Sequence, residues 1–183
     1  MRKAKKTDEE IIHQNPWWTY KHDKFEKEDG SVGDYFYVQT NNSAMVVPVL
    51  DDGRVVLINQ YRYLQDRESI EFPCGQLLEN EAPSEGAKRE LFEETGYKGG
   101  DLIKIGNFCG FKGVGKDETH LFLGTDLKQI DEPQKEDDSG EMEVIYRRVD
   151  ELEQMVIEGK IWDGQTLAAF ALVRDHLYKL ITS

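Results

Sequence analysis

Between Gly75 and Tyr97 the chain reads GQLLENEAPSEGAKRELFEETGY, a stretch that holds six glutamates. A helix is expected over Ala82–Thr95. Pro83 suits its first turn, and Gly96 stands where a left-handed C-terminal cap belongs. With about 100° of turn per residue, Glu90, Glu93 and Glu94 share one face with Gly86, while Ala87 and Leu91 lie beside it and pack inward. Like charges at these spacings cost a helix roughly 0.2–0.5 kcal/mol per pair. A helix built for stability alone would carry Lys or Arg there. Three carboxylates on one face call for an external cation, and oxygen donors select a hard ion, Mg²⁺ or Mn²⁺. A solvated acidic face is the alternative, and the local pattern does not separate the two.

The full spacing does separate them. Gly75, Glu81, Arg89-Glu90, Leu91, Glu93-Glu94, Gly96 and Tyr97 fit G-x5-E-x7-R-E-U-x-E-E-x-G-U, where U is a bulky apolar residue. Seven fixed residues coincide by chance at on the order of 10⁻⁷ per starting position, so accident is a poor explanation. The stretch resembles the box of the Nudix hydrolases without a mismatch. The resemblance implies a loop–helix–loop that binds divalent metal and directs water onto a phosphorus of a nucleoside diphosphate linked to another group. It makes Glu90 and Glu94 metal ligands and Glu93 a ligand or a base acting through water. Arg89 would lock the catalytic helix by pairing with Glu81. The backbone carbonyl of Cys74 resembles the position that gives a further ligand in the ADP-ribose pyrophosphatase branch.

The flanks resemble the same branch, which also hydrolyses nucleoside diphosphate sugars. NQYRY followed by IEFPCG places Arg62 and Glu71 near substrate, and Glu118 stands where this branch often has another substrate-side glutamate. The acidic loop Asp131–Glu141 resembles the loop that supplies a base or an extra metal ligand; Glu141 leads, Glu143 follows and Asp138 is third. Trp17 and Trp18 cannot both face one core from a strand, so one is expected to pack and the other to stack on a base. In this branch the N-terminal segment reaches across a homodimer and helps wall the partner's site, which is the expectation here. ADP-ribose pyrophosphatases usually show a proline about 16 residues past the box; Lys112 stands there instead. A broader hydrolase that accepts ADP-ribose and GDP-mannose is therefore implied. GFKGVGKD (Gly110–Asp117) nearly reads as a phosphate-cradling loop. Asp117 replaces its Ser/Thr, and the strand-like ETHLFLG follows where a helix is required.

Two other classes share this architecture. A non-catalytic nucleotide-sugar sensor usually has a degraded box and a fused DNA-binding module, whereas this box is intact and no basic helix-turn-helix is visible. An isoprenoid diphosphate isomerase would need a catalytic cysteine, and nothing in the sequence pairs Cys109 with a base.

The whole chain agrees with a small-molecule enzyme. Its 183 residues carry a net charge of −13, from 23 basic and 36 acidic side chains. That balance argues against nucleic acid or an anionic membrane as the partner. It does not exclude an anionic substrate, because bound divalent ions reverse the local field. Two cysteines, Cys74 and Cys109, make no C-x-x-C pair, and a reducing cytoplasm fits. The N-terminus lacks an apolar leader, and no stretch approaches membrane-spanning length.

The elements that must position these groups are short. Gly33–Thr40 alternates like a strand. Ala44–Leu50 and Arg54–Tyr61 are apolar runs, buried on both faces, that Asp51-Asp52-Gly53 joins as a hairpin. Ser69–Pro73, Leu102–Phe108, Thr119–Leu127 and Met142–Val149 read as strands. A helix begins after Asp150, and another near Gln165 presents Phe170, Val173, Leu177 and Leu180 to a core. Strands mixed with two or three helices make an α/β (α+β) layer fold. The resemblance specifies an α/β/α sandwich with a mixed central sheet and a small N-terminal β-rich segment. Residues 1–43 form that segment, swapped across the dimer, and 44–183 the hydrolase domain.

Overall fold

The computed structural model describes residues 4–133 and 142–182. Strands β1 (Lys5–Gln14), β2 (Thr19–Glu26) and β3 (Val32–Gln39) come first. They are followed by β4 (Ser43–Pro48), β5 (Val55–Arg62), β6 (Arg67–Glu71) and β7 (Cys74–Gln76), then by helix α1 (Pro83–Thr95). After α1 come β8 (Tyr97–Lys98), β9 (Asp101–Phe108), β10 (Gly115–Lys116), β11 (Thr119–Thr125), β12 (Lys128–Gln129) and β13 (Glu143–Arg147). Helices α2 (Val149–Ile157) and α3 (Gly164–Thr182) end the described chain.

Alternation along β4 divides the core in two. Met45, Val47 and Val49 point to one side, where Leu121, Leu123, Leu152, Phe170, Val173 and Leu177 fill a cluster under α2 and α3. Ala44 and Val46 point to the other, against Ala87 and Leu91 of α1 and Phe122 of β11. Strand β5 splits the same way: Val55 and Leu57 join the first cluster and Val56 the second. Strands with both faces covered must be apolar throughout, which is how the two runs read. The result is α1, then sheet, then α2 and α3. The central sheet runs β7-β4-β11-β9 and mixes a parallel β4–β11 pair with antiparallel neighbours.

The hairpin expected from Ala44–Leu50 and Arg54–Tyr61 exists only at its turn. The Leu50 and Arg54 backbones close it, Gly53 takes φ 81°, and one antiparallel bridge joins Val49 to Val55. Beyond the bridge the strands part. β4 stays in the central sheet, while β5 pairs with β13 and β6 in a separate sheet. A turn signal fixes a reversal of direction; the next partner is chosen by long-range packing, which a local pattern does not encode.

The N-terminal segment holds more strand than its polar sequence shows. β1, β2 and β3 form an antiparallel meander, with β10 added in parallel at the β3 edge. Every residue of β1 is exposed, so no apolar alternation marks it. Cross-strand ion pairs replace it: Lys21 to Glu9 at 2.9 Å and Lys6 to Asp23 at 3.3 Å. Asn15 makes the β1–β2 turn, its side-chain oxygen accepting the N–H groups of Trp17 and Trp18 at 2.9 Å each.

The apolar stripe of α3 is one residue shorter than its spacing predicts. Phe170, Val173 and Leu177 are buried, but Leu180 is exposed, because the helix outruns the core beneath it. Among the described residues no helix is long and apolar enough to cross a membrane.

Candidate active site

Helix α1 starts on Ala82 in extended conformation with Pro83 in the first turn, and stops at Gly96, whose φ is 75°. A side chain at Gly96 would also meet the Asp131 carbonyl at 1.9 Å, so only glycine ends the helix this way. Ala87 and Leu91 hold the helix on the sheet. The same packing buries two of the three carboxylates: Glu90 is 2% exposed and Glu94 3%. Glu93 is half-buried at the helix rim.

Arg89 organises this face. Its Nε and Nη2 donate to the two oxygens of Glu81 at 2.8 Å each, and Nη2 also donates to the Gln76 carbonyl at 2.9 Å. Its Nη1 donates to Glu90 at 2.6 Å and to Glu93 at 3.2 Å. One guanidinium therefore ties the loop before the helix to the helix, and serves three carboxylates at once. The guanidinium, and then the Leu78 N–H, hold the Glu81 carboxyl below the usual range. Glu94 accepts the Cys74 backbone N–H at 2.9 Å, which fastens α1 to β7. Burial, followed by Glu94, Glu90 and Glu71, pushes the Cys74 thiol well above the usual range, so that thiol stays protonated.

Gly75 faces Glu90 directly. A Cβ there would stand 2.1 Å from the Glu90 carboxyl carbon. Glu90 is too buried to swing aside, so Gly75→Ala is expected to lose about 1–3 kcal/mol of stability and to displace the carboxylate. Denaturant midpoints and turnover check this, and an unchanged pair of values would show that Glu90 moves freely.

The donor set fits a hard divalent ion. Glu90, Glu93 and Glu94 offer only oxygen, and the buried pair is adjacent to the Cys74–Gly75 backbone. Among the described residues no three His, Cys, Asp or Glu side chains already converge as a ready-made cluster. Arg89 draws Glu90 one way and the Cys74 N–H draws Glu94 another.

A cleft of about 660 Å³ opens beside this backbone, lined by Cys74, Gly75, Gln76, Arg62, Glu71, Phe111 and Trp162 among others. Its size falls in the range of about 300–1,000 Å³ usual for small-molecule sites. Arg62 and Glu71 form a forked pair, Nε to Oε1 at 2.7 Å and Nη2 to Oε2. Gln60 donates to the same carboxylate at 3.4 Å. Glu71 is buried at 6% exposure, so it holds the Arg62 guanidinium at the cleft wall rather than offering its own oxygens.

Other candidates lie elsewhere. Glu118 precedes β11 and accepts from Asn107 at 2.5 Å, outside the cleft lining. Glu143 is exposed in β13, opposite Asn59. Glu141 and Asp138 lie outside the described residues. Trp17 and Trp18 sit in the β1–β2 turn, 60% and 38% exposed, and neither lines the cleft. Their loop still approaches it, because Gln76 donates to the Trp17 carbonyl at 3.1 Å. Gly110–Asp117 contains strand β10 and leads into strand β11, so no helix follows it.

Sequence reasoning passed over Phe111, Trp162 and Gln165 in the cleft wall. For Trp162 a signal existed: a tryptophan directly before Asp163, whose carboxylate caps α3 by accepting the Thr166 N–H at 2.7 Å.

Comparison with known proteins bears on the whole assembly. ADP-ribose pyrophosphatase of Bacillus subtilis is 30% identical over 132 residues, covering 72% of this chain and 71% of that protein. GDP-mannose pyrophosphatase of Yersinia enterocolitica is 30% identical over 149 residues, covering 76% of each. A solved structure described as "Crystal structure of ADP compounds hydrolase" shares the fold at a TM-score of 0.83 and 21% identity, covering 98% of this chain and 96% of that one. The family model for the NUDIX domain matches residues 39–170, which span the central sheet, α1 and the cleft. With box, fold and match in agreement, the chain belongs to the NUDIX domain family.

Proposed function

We propose that the protein hydrolyses the diphosphate bond of nucleoside diphosphate sugars, ADP-ribose and GDP-mannose among them. The products are a nucleoside monophosphate and a sugar phosphate. One observation carries this reading: two buried carboxylates, Glu90 and Glu94, sit directly behind the Cys74–Gly75 backbone of a cleft whose wall also presents Arg62.

Glu90 and Glu94 would hold Mg²⁺, with Mn²⁺ as a substitute, and the Cys74 carbonyl is the proposed further ligand. When bound, such an ion lowers the pKa of water and offsets charge on phosphoryl oxygens. The chain's own groups do the rest. Arg62, fixed by Glu71, presents N–H groups to the diphosphate. Arg89 keeps the carboxylate face in one geometry. Water oxygen bonds to one phosphorus, the bridging P–O bond breaks, and the proton passes to a carboxylate. Glu93, half-buried at the helix rim, is the proposed acceptor, and Glu141 is the acidic-loop candidate.

The reading includes a homodimer formed through the N-terminal segment (1–43), and a cytoplasmic setting in which Cys74 and Cys109 remain free thiols. Strand β1 supports the dimer: it is an edge among the described residues, exposed along its length, with Ile11 and Ile12 in solvent. A solution mass of about twice 21.1 kDa is expected, and a single-chain mass would contradict it.

The test is a panel of nucleotide sugars with Mg²⁺, coupled to a phosphatase that acts on the products but not on the intact substrates. Phosphate release that stops on chelation is expected. Binding without release across the panel would mark a sensor instead.

A further inference from the structure

We propose that Trp162 is the platform on which the substrate's nucleobase stacks; this rests on the hydrolase reading above. The indole is built in as a fixed wall. Its Nε1–H donates to the Glu68 carbonyl at 3.0 Å, which sets the ring's orientation. The Arg67 guanidinium lies over the ring, 3.6 Å from its centroid, and covers one face. The ring lines the cleft together with Tyr61, Tyr63, Phe111 and Arg62, so the pocket that takes the diphosphate also carries four aromatic side chains, of which Trp162 has the largest face.

The chemistry points to a base. An aromatic face binds any base by its π-surface and reads little of its edge. A cleft that recognises bases this way tolerates adenine and guanine alike, as a chain similar to both an ADP-ribose and a GDP-mannose pyrophosphatase would need. Neither of the N-terminal tryptophans provides such a wall in this chain's cleft, for Trp17 and Trp18 are outside its lining. Trp162 is also held against movement, which lowers the ordering cost of binding.

Two measurements test the assignment. In the first, Trp162→Ala and Trp162→Phe are compared with the wild type for KM, kcat and inhibition by AMP, GMP, ribose 5-phosphate and mannose 1-phosphate. The alanine variant is expected to raise KM and the AMP and GMP inhibition constants about 5- to 150-fold, with the sugar phosphates unaffected and phenylalanine restoring part of the loss. Thermal midpoints exclude unfolding, and the phenylalanine variant keeps the test open if alanine fails to fold. In the second, a Trp17→Phe/Trp18→Phe protein leaves Trp162 as the sole tryptophan, and AMP is expected to quench its fluorescence. Unchanged inhibition by AMP and GMP in folded variants, or a loss confined to the sugar phosphates, would overturn the assignment, as would absent quenching. Quenching by AMP in a protein that cleaves no nucleotide sugar would sink the hydrolase reading and leave the stacking site standing.

Discussion

Glu94→Gln is expected to lower kcat by roughly 10²–10³-fold while the fold and its thermal midpoint stay close to wild type. The amide has the carboxylate's shape, and its carbonyl oxygen still accepts the Cys74 N–H that fastens α1 to β7. What the substitution removes is a negative charge from a group only 3% exposed. A structural carboxylate in that place would lose little. A carboxylate that holds a divalent ion loses its ligand strength, and with it the charge compensation for a diphosphate. Steady-state turnover at saturating Mg²⁺ is the measurement. Near-normal turnover would remove Glu94 from the metal site.

Arg89→Ala is expected to have the largest effect on stability, about 3–5 kcal/mol, because it strips the guanidinium from a partly buried charge network. Glu81, Glu90 and Glu93 all accept from Arg89, and so does the Gln76 carbonyl. Against a total of about 5–15 kcal/mol for a folded domain, that loss brings the protein near its threshold. Lysine should restore only part, since an ammonium cannot fork between Glu81 and the helix. The same ion pair gives a pH signature. Glu81 has a depressed folded pKa, so its contribution is full above the ordinary carboxylate value and is lost as the pH falls through the folded value. The wild type should therefore lose stability on acidification more steeply than Arg89→Ala. Urea midpoints from neutral to acid pH give both results. A midpoint that Arg89→Ala leaves unmoved would show that the network is solvent-screened.

The contrast between these residues and the cleft wall shows what the sequence carries. The box is legible because its constraints are local: Pro83 starts α1, Gly96 ends it, and three glutamates at spacings of three and four can only be neighbours on a helix. The two apolar runs were legible as doubly buried strands for the same reason, but not their partners. β4 finds β11 some 75 residues away, at Ser43↔Thr119 to Pro48↔Gly124, through packing that no short window contains. β1 escaped notice because its ladder is closed by ions rather than by an apolar face. Trp162 escaped because it meets Arg67, and shares the cleft wall with Arg62, only when residues about 95 positions apart in the chain are brought together by the fold. Glu71 was legible as a residue near the site, yet its bond to Arg62 depends on the β5–β6 register, in which Ile58 lies opposite Glu71 and Arg62 opposite Arg67.

The central claim is that the crowded acidic face of α1 gathers a divalent ion and, with it, a diphosphate. Mn²⁺ can be titrated into the protein with saturating ADP-ribose, following the free ion by its paramagnetic resonance and the nucleotide by chromatography. Loss of the free-ion signal together with the appearance of AMP and ribose 5-phosphate is predicted. A full free-ion signal beside intact ADP-ribose would contradict the claim.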